Sequence, residues 1–83
     1  MPKWNEFIPR KFEYDYERDE LYAHHVTIEE AVQCFRSRFT IKRNKQYIDR
    51  FKLIGKTSDG KKLCIIFQLK THHVVRIITG WEV

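Results

Sequence analysis

Arg76 interrupts Val74-Val75-Arg76-Ile77-Ile78, an otherwise apolar run. A fixed charge in such a run requires a partner, a groove or an exposed face, which makes Arg76 the first candidate for function. A wider basic set surrounds it in sequence: Arg36, Arg38, Lys42, Arg43, Lys45, Arg50, Lys52, Lys56, Lys61, Lys62 and Lys70, interleaved with Tyr47, Phe51 and Trp81. Cations that grip phosphates beside rings that stack on bases are what single-stranded RNA binding uses. Taken singly, each of these residues also fits a solvated strand face with its aromatic neighbours in the core.

Paired histidines occur at His24-His25 and His72-His73. Imidazole titrates near neutral pH, so either pair can supply a general acid or base. Neighbours diverge by about 100° on a helix and point to opposite faces on a strand, so neither pair forms a ready metal clamp. No HxxxH or CxxC spacing adds ligands, and no metal or other cofactor is expected. The three glycines, Gly55, Gly60 and Gly80, make no phosphate loop, and no G-x-S-x-G sequence flanks a serine. Nucleotide hydrolysis is set aside on that ground.

The elements that must position these groups are legible in outline. Leu63–Phe67 and Val74–Trp81 are rich in Ile, Val and Phe and read as strands, with Ser58-Asp59-Gly60 as the tight turn before the first. Leu63–Phe67 is apolar on both sides and should be a central, covered strand. Tyr47–Lys56 alternates: Tyr47, Asp49, Phe51 and Leu53 share one face, and Ile48, Arg50, Lys52, Ile54 and Lys56 share the other. Phe39–Lys45 reads equally as a strand or a basic loop. Phe12-Glu13-Tyr14 alternates as a short edge strand would.

Two helices are expected ahead of this sheet. Asp15 can cap one running to about His24. Thr27-Ile28-Glu29-Glu30 is a capping box for the second, with Val26 and Ala31 at the staple positions and Ile28, Ala31, Val32 and Phe35 on its buried face. The predicted fold is therefore α+β, with two N-terminal helices packed on a three- to four-stranded antiparallel sheet. Residues 1–11, with Pro2 and Pro9, read as an arm whose Trp4, Phe7 and Ile8 dock on a single domain spanning 12–83.

The totals agree with one small domain. The chain has 83 residues, 42% hydrophobic and 14% aromatic, and its 16 Lys and Arg against 11 Asp and Glu give a net charge of +5. Acids crowd into residues 6–30 while bases dominate 41–62, a polarity that suits an anionic partner, nucleic acid or acidic protein. Cys34 and Cys64 have no paired spacing, and no apolar run reaches bilayer length. A soluble cytoplasmic protein is the expectation.

Four segments together resemble BrnT-type toxins of bacterial toxin–antitoxin modules. Phe12-Glu13-Tyr14-Asp15 is similar to the family's F-E-W-D, and His24-His25-Val26-Thr27-Ile28-Glu29-Glu30-Ala31 to its H-G-V-S-x-E-E-A. Ile54-Gly55-Lys56-Thr57-Ser58-Asp59-Gly60-Lys61-Lys62-Leu63 resembles its G-x-T-x-x-G-R-x-L hairpin, and Val75-Arg76-Ile77-Ile78-Thr79 its R-I-I-S strand. The resemblance covers residues 12 to about 82. It implies a RelE-like fold and metal-independent ribonuclease activity on RNA, mRNA above all. It also implies a cognate antitoxin protein as partner, in a hetero-oligomer or beside a homodimer.

Carried over by position, Arg76 matches the family's strand arginine, Lys61 its turn-flanking base, His24 its histidine, and Arg50 a basic strand position. These four are the expected catalytic set, with Lys52, Lys56, Lys62, Tyr47 and Trp81 as RNA-binding residues. The departures are His25 in place of a glycine and Trp81 in place of a second arginine. The second departure keeps open a catalytically inactive RNA- or protein-binding domain.

Overall fold

A computed structural model describes residues 9–15, 19, 21–43, 50–71 and 73–83. Five strands form one sheet in the order β1-β5-β4-β3-β2. They are β1 (Lys11–Glu13), β2 (Thr40–Arg43), β3 (Arg50–Lys56), β4 (Lys62–Leu69) and β5 (Val74–Glu82), and α1 (Ile28–Arg36) is the single α-helix among the described residues. Neighbours β2 to β5 pair antiparallel, whereas β1 runs parallel to β5.

This overturns the expected plan of two helices on an antiparallel, RelE-like sheet. The described residues of the stretch expected to be the first helix hold only a 3₁₀ turn, Tyr22–His24. Its polar side chains satisfy the backbone locally instead: the Tyr14 hydroxyl accepts from Leu21 N and donates to Asp19 O, each at 2.9 Å. The Asp19 carboxylate accepts from Asp15 N at 2.9 Å. Side chains that serve the backbone in this way compete with helix. Leu21, fully buried, anchors the stretch in the core.

The second helix forms as its residues dictate. Glu30 N donates to Thr27 Oγ1 at 3.2 Å and Thr27 N to Glu30 Oε1 at 3.1 Å, completing the capping box. Ala31, Cys34 and Phe35 are buried, with Ile28 and Val32 packed partly against the core. At the other end Ser37 Oγ donates to Cys34 O at 2.9 Å and accepts from Lys56 N at 3.3 Å, tying the helix to β3. Gly55 permits that approach, since a Cβ there would stand 2.9 Å from Cys34 O.

Phe51, Leu53, Leu63, Ile65, Phe67, Val75 and Ile77 form the core face under α1. Phe35 meets Phe67 edge-on at 5.0 Å and Phe12 at 5.3 Å. Phe39–Lys45, open between strand and loop, supplies the edge strand β2. The Ser58-Asp59-Gly60 turn forms as expected, with Gly60 at φ 87° and its N–H donating to Thr57 O at 3.0 Å.

One irregularity decides what shares a face. Ile66 pairs with Thr79 but Phe67 pairs with Ile77, so Ile78 is an extra residue in β5. The bulge shifts the alternation, and Trp81, opposite Cys64, falls on the same side of the sheet as Arg76. No helix among the described residues is long and apolar enough to cross a membrane.

Candidate nucleic-acid interface

The residues singled out from the sequence divide between the two ends of the sheet. Arg50, Gln68 and Arg76 lie in one register row across β3, β4 and β5, with Glu13 of β1 next to Arg76. Two strand spacings, about 10 Å, separate the two arginines. Lys56 and Lys62 face each other at the opposite end, about 20 Å along β3 from Arg50. Lys61 immediately precedes Lys62. Lys52 sits between the two ends, opposite Ile66 and Lys42. Tyr47 and His72 lie outside the described residues, as does residues 1–8 of the arm.

Arg76 is engaged within the fold. Its Nε donates to Asp19 Oδ2 at 3.1 Å and its Nη2 to Asp19 Oδ1 at 2.7 Å, a two-pronged pairing. The Asp19 side chain is 2% exposed and that of Arg76 26%. The carboxylate's hydrogen bonds, then its charge, raise the guanidinium pKa above its ordinary value. Arg76 thus joins the loop after β1 to β5. Asp19 was not singled out in the sequence. The acid-rich stretch before residue 30 was the available signal, but nothing local tells which acid reaches Arg76.

The opposite end is where cationic surface collects. A groove of about 760 Å³ runs between the start of β2, the end of β3 and the start of β4. Arg38, Lys42, Lys56 and Lys62 line it together with Phe39 and Ile54, and among the described residues no carboxylate does. All four cations are exposed. Crowded like charges repel, so such a groove is most favourable when an anion fills it.

A smaller pocket of about 240 Å³ is lined by His24, His25, Glu30, Lys61 and Glu82, and Lys61 immediately precedes Lys62 of the groove. The 3₁₀ turn packs along β5 beyond the short β1 and presents His24 there. The His24 and Trp81 rings stand 6.2 Å apart, tilted by 58°. Lys61 Nζ lies 3.2 Å from Glu30 Oε2. Glu30 is held below the ordinary carboxylate range, first by the Thr27 N–H and further by Lys61. Lys61 is raised in turn, chiefly by its hydrogen bond to Glu30. Of the expected catalytic set, the fold therefore brings Lys61 and His24 together, with Trp81 beside them, and leaves Arg50 and Arg76 at the far end.

Neither cysteine belongs to this chemistry. Burial pushes the Cys34 thiol up to about 11, with Glu30 adding to the effect, and burial raises Cys64 as well. Both are free and buried, the inert kind of thiol.

Arg38, Lys42 and the pocket's His25, Glu30 and Glu82 complete the interface. The sequence marked the two cations only as members of a basic set, and Glu30 only as a capping residue. No family model matches the chain, and no curated protein matches it closely enough to count as a relative.

Proposed function

We propose that the chain is a small RNA-cleaving protein of the toxin type, acting in the cytoplasm on RNA and neutralised by an antitoxin protein that covers its basic surface. The reading rests on one arrangement: His24 and Lys61 line a single pocket, and Lys61 immediately precedes Lys62, which walls a cationic groove with Arg38, Lys42 and Lys56. RNA carries its own nucleophile, the 2′-hydroxyl. A protein that cleaves it has to hold the backbone, move protons and stabilise charge on phosphorus.

The residues divide those tasks. The groove cations hold successive phosphates. Trp81 offers a ring for a base to stack on, next to the reacting phosphate. His24 moves a proton, and Lys61, one residue from the groove wall, faces the developing charge. The Lys61–Glu30 pair fixes the ammonium in the pocket, and the four motifs shared with BrnT-type toxins point to the same reaction.

A second reading is a catalytically inactive domain that binds RNA or an acidic protein through the groove alone. The engagement of Arg76 with Asp19 favours it, because a principal cationic candidate is already paired with a carboxylate of its own chain. Induced expression in a bacterial host separates the two. Growth arrest with loss of mRNA by wild type, relieved by His24→Asn, supports cleavage. Harmless expression of a protein that binds RNA in a salt-dependent manner supports the second reading and removes the first.

A further inference from the structure

We propose that His25 is the second proton-transfer group of this pocket, paired with His24 on one phosphodiester; the proposal rests on the RNA-cleaving reading above. Consecutive side chains on a regular element point apart, yet both histidines line the same small cavity. The backbone supplies the reason. His25 has φ 60°, the only positive φ of a non-glycine among the described residues, and this left-handed step folds the chain back between the 3₁₀ turn and the Thr27 cap.

Glycine adopts that conformation without steric cost, whereas a side chain bearing a Cβ does not. Among the described residues no hydrogen bond or ion pair holds the His25 ring, and the residue is exposed. The left-handed step lets the Val26 N–H donate to Leu21 O at 3.2 Å and close the turn, but the ring itself brings no stabilising contact. Glycine would close the same turn without strain, so a histidine kept there at a cleft points to a use for its side chain.

The chemistry needs two such groups. One neutral imidazole takes the 2′-hydroxyl proton as the 2′-oxygen bonds to phosphorus. The other, protonated, gives its proton to O5′ as the P–O5′ bond breaks. The products are a 2′,3′-cyclic phosphate and a 5′-hydroxyl, with no water or further reactant consumed. Among the described residues, the charged groups facing the pair are Glu30 from α1, Lys61 from the β3–β4 turn and Glu82 from β5.

The test measures melting temperature and the pH dependence of cleavage of a short single-stranded RNA by the full chain, for wild type, His25→Gly, His25→Asn and His24→Asn. Removing the strain should raise the melting temperature of His25→Gly by about 5 °C. Cleavage by the same variant should fall ~100-fold or more, and the bell-shaped pH profile should lose one limb. His25→Asn, which also tolerates the left-handed backbone, should show the same loss, and His24→Asn should lose the other limb. A wild type that cleaves, with both His25 variants as fast and as bell-shaped, overturns the role of His25 alone. A wild type that binds RNA without cutting it overturns the cleavage reading and this role with it.

Discussion

Arg76 and Lys61 both carry positive charge into a fold with a net charge of +5, but their partners place them differently. Asp19 is almost fully covered and takes two hydrogen bonds from Arg76, so removing the guanidinium strands a buried carboxylate. Arg76→Ala should cost about 2–3 kcal/mol in urea unfolding, most of it recovered in the Asp19→Asn, Arg76→Ala double variant. A cost near zero would mean the pair contributes nothing. Lys61 and Glu30 are more accessible, and the informative variable for them is pH. Because Glu30 is lowered from its ordinary 4.5, its contribution is complete above that value and fades as pH falls through the lower, folded-state value. Glu30→Gln keeps an acceptor for the Thr27 N–H. Wild type should therefore exceed Glu30→Gln in stability at pH 6, with the gap closing as pH falls below 4.5; a gap that widens in acid would contradict the assignment.

At the scale of elements, what could be read in advance was what neighbouring residues settle among themselves. Thr27 and Glu30 are three positions apart and formed their reciprocal cap; Gly60 took the positive φ its turn requires. Phe51 and Leu53 went inward while Lys52 and Ile54 alternated away. The errors have long-range causes. Whether 15–24 becomes helix depends on an aspartate drawn to an arginine 57 residues away, and on a parallel β1 that brings Tyr14 over the core. The Ile78 bulge has no local signature either, yet it sets where Trp81 points. Two element-level changes follow. Thr27→Ala should destabilise by about 1 kcal/mol through loss of the cap. Gly55→Ala should cost about 2 kcal/mol, because the new methyl meets the last turn of α1 at the Cys34 carbonyl, where backbone has to move. Thermal or urea unfolding measures both, and Gly55→Ala at wild-type stability would show that the helix end has room to shift.

Across the whole molecule, one end of the sheet carries the cationic groove and the histidine-lined pocket, while at the other end Arg76 is paired with Asp19. An RNA strand lying along β2, β3 and β4 would meet Lys42, Lys56 and Lys62 before reaching Lys61, His24 and Trp81. Replacing Lys56 and Lys62 together by Ala should weaken RNA binding and lower the slope of log affinity against log salt by roughly 1–1.5. Stability should stay near wild type, since both side chains are exposed. The most direct measurement is cleavage of a single-stranded RNA by purified protein, beside an identical strand carrying one 2′-deoxy nucleotide at the cut site. The expected result is a 2′,3′-cyclic phosphate from the first, an intact bond in the second, and no cut by His24→Asn. Cleavage of both strands, or undiminished activity in His24→Asn, would contradict it.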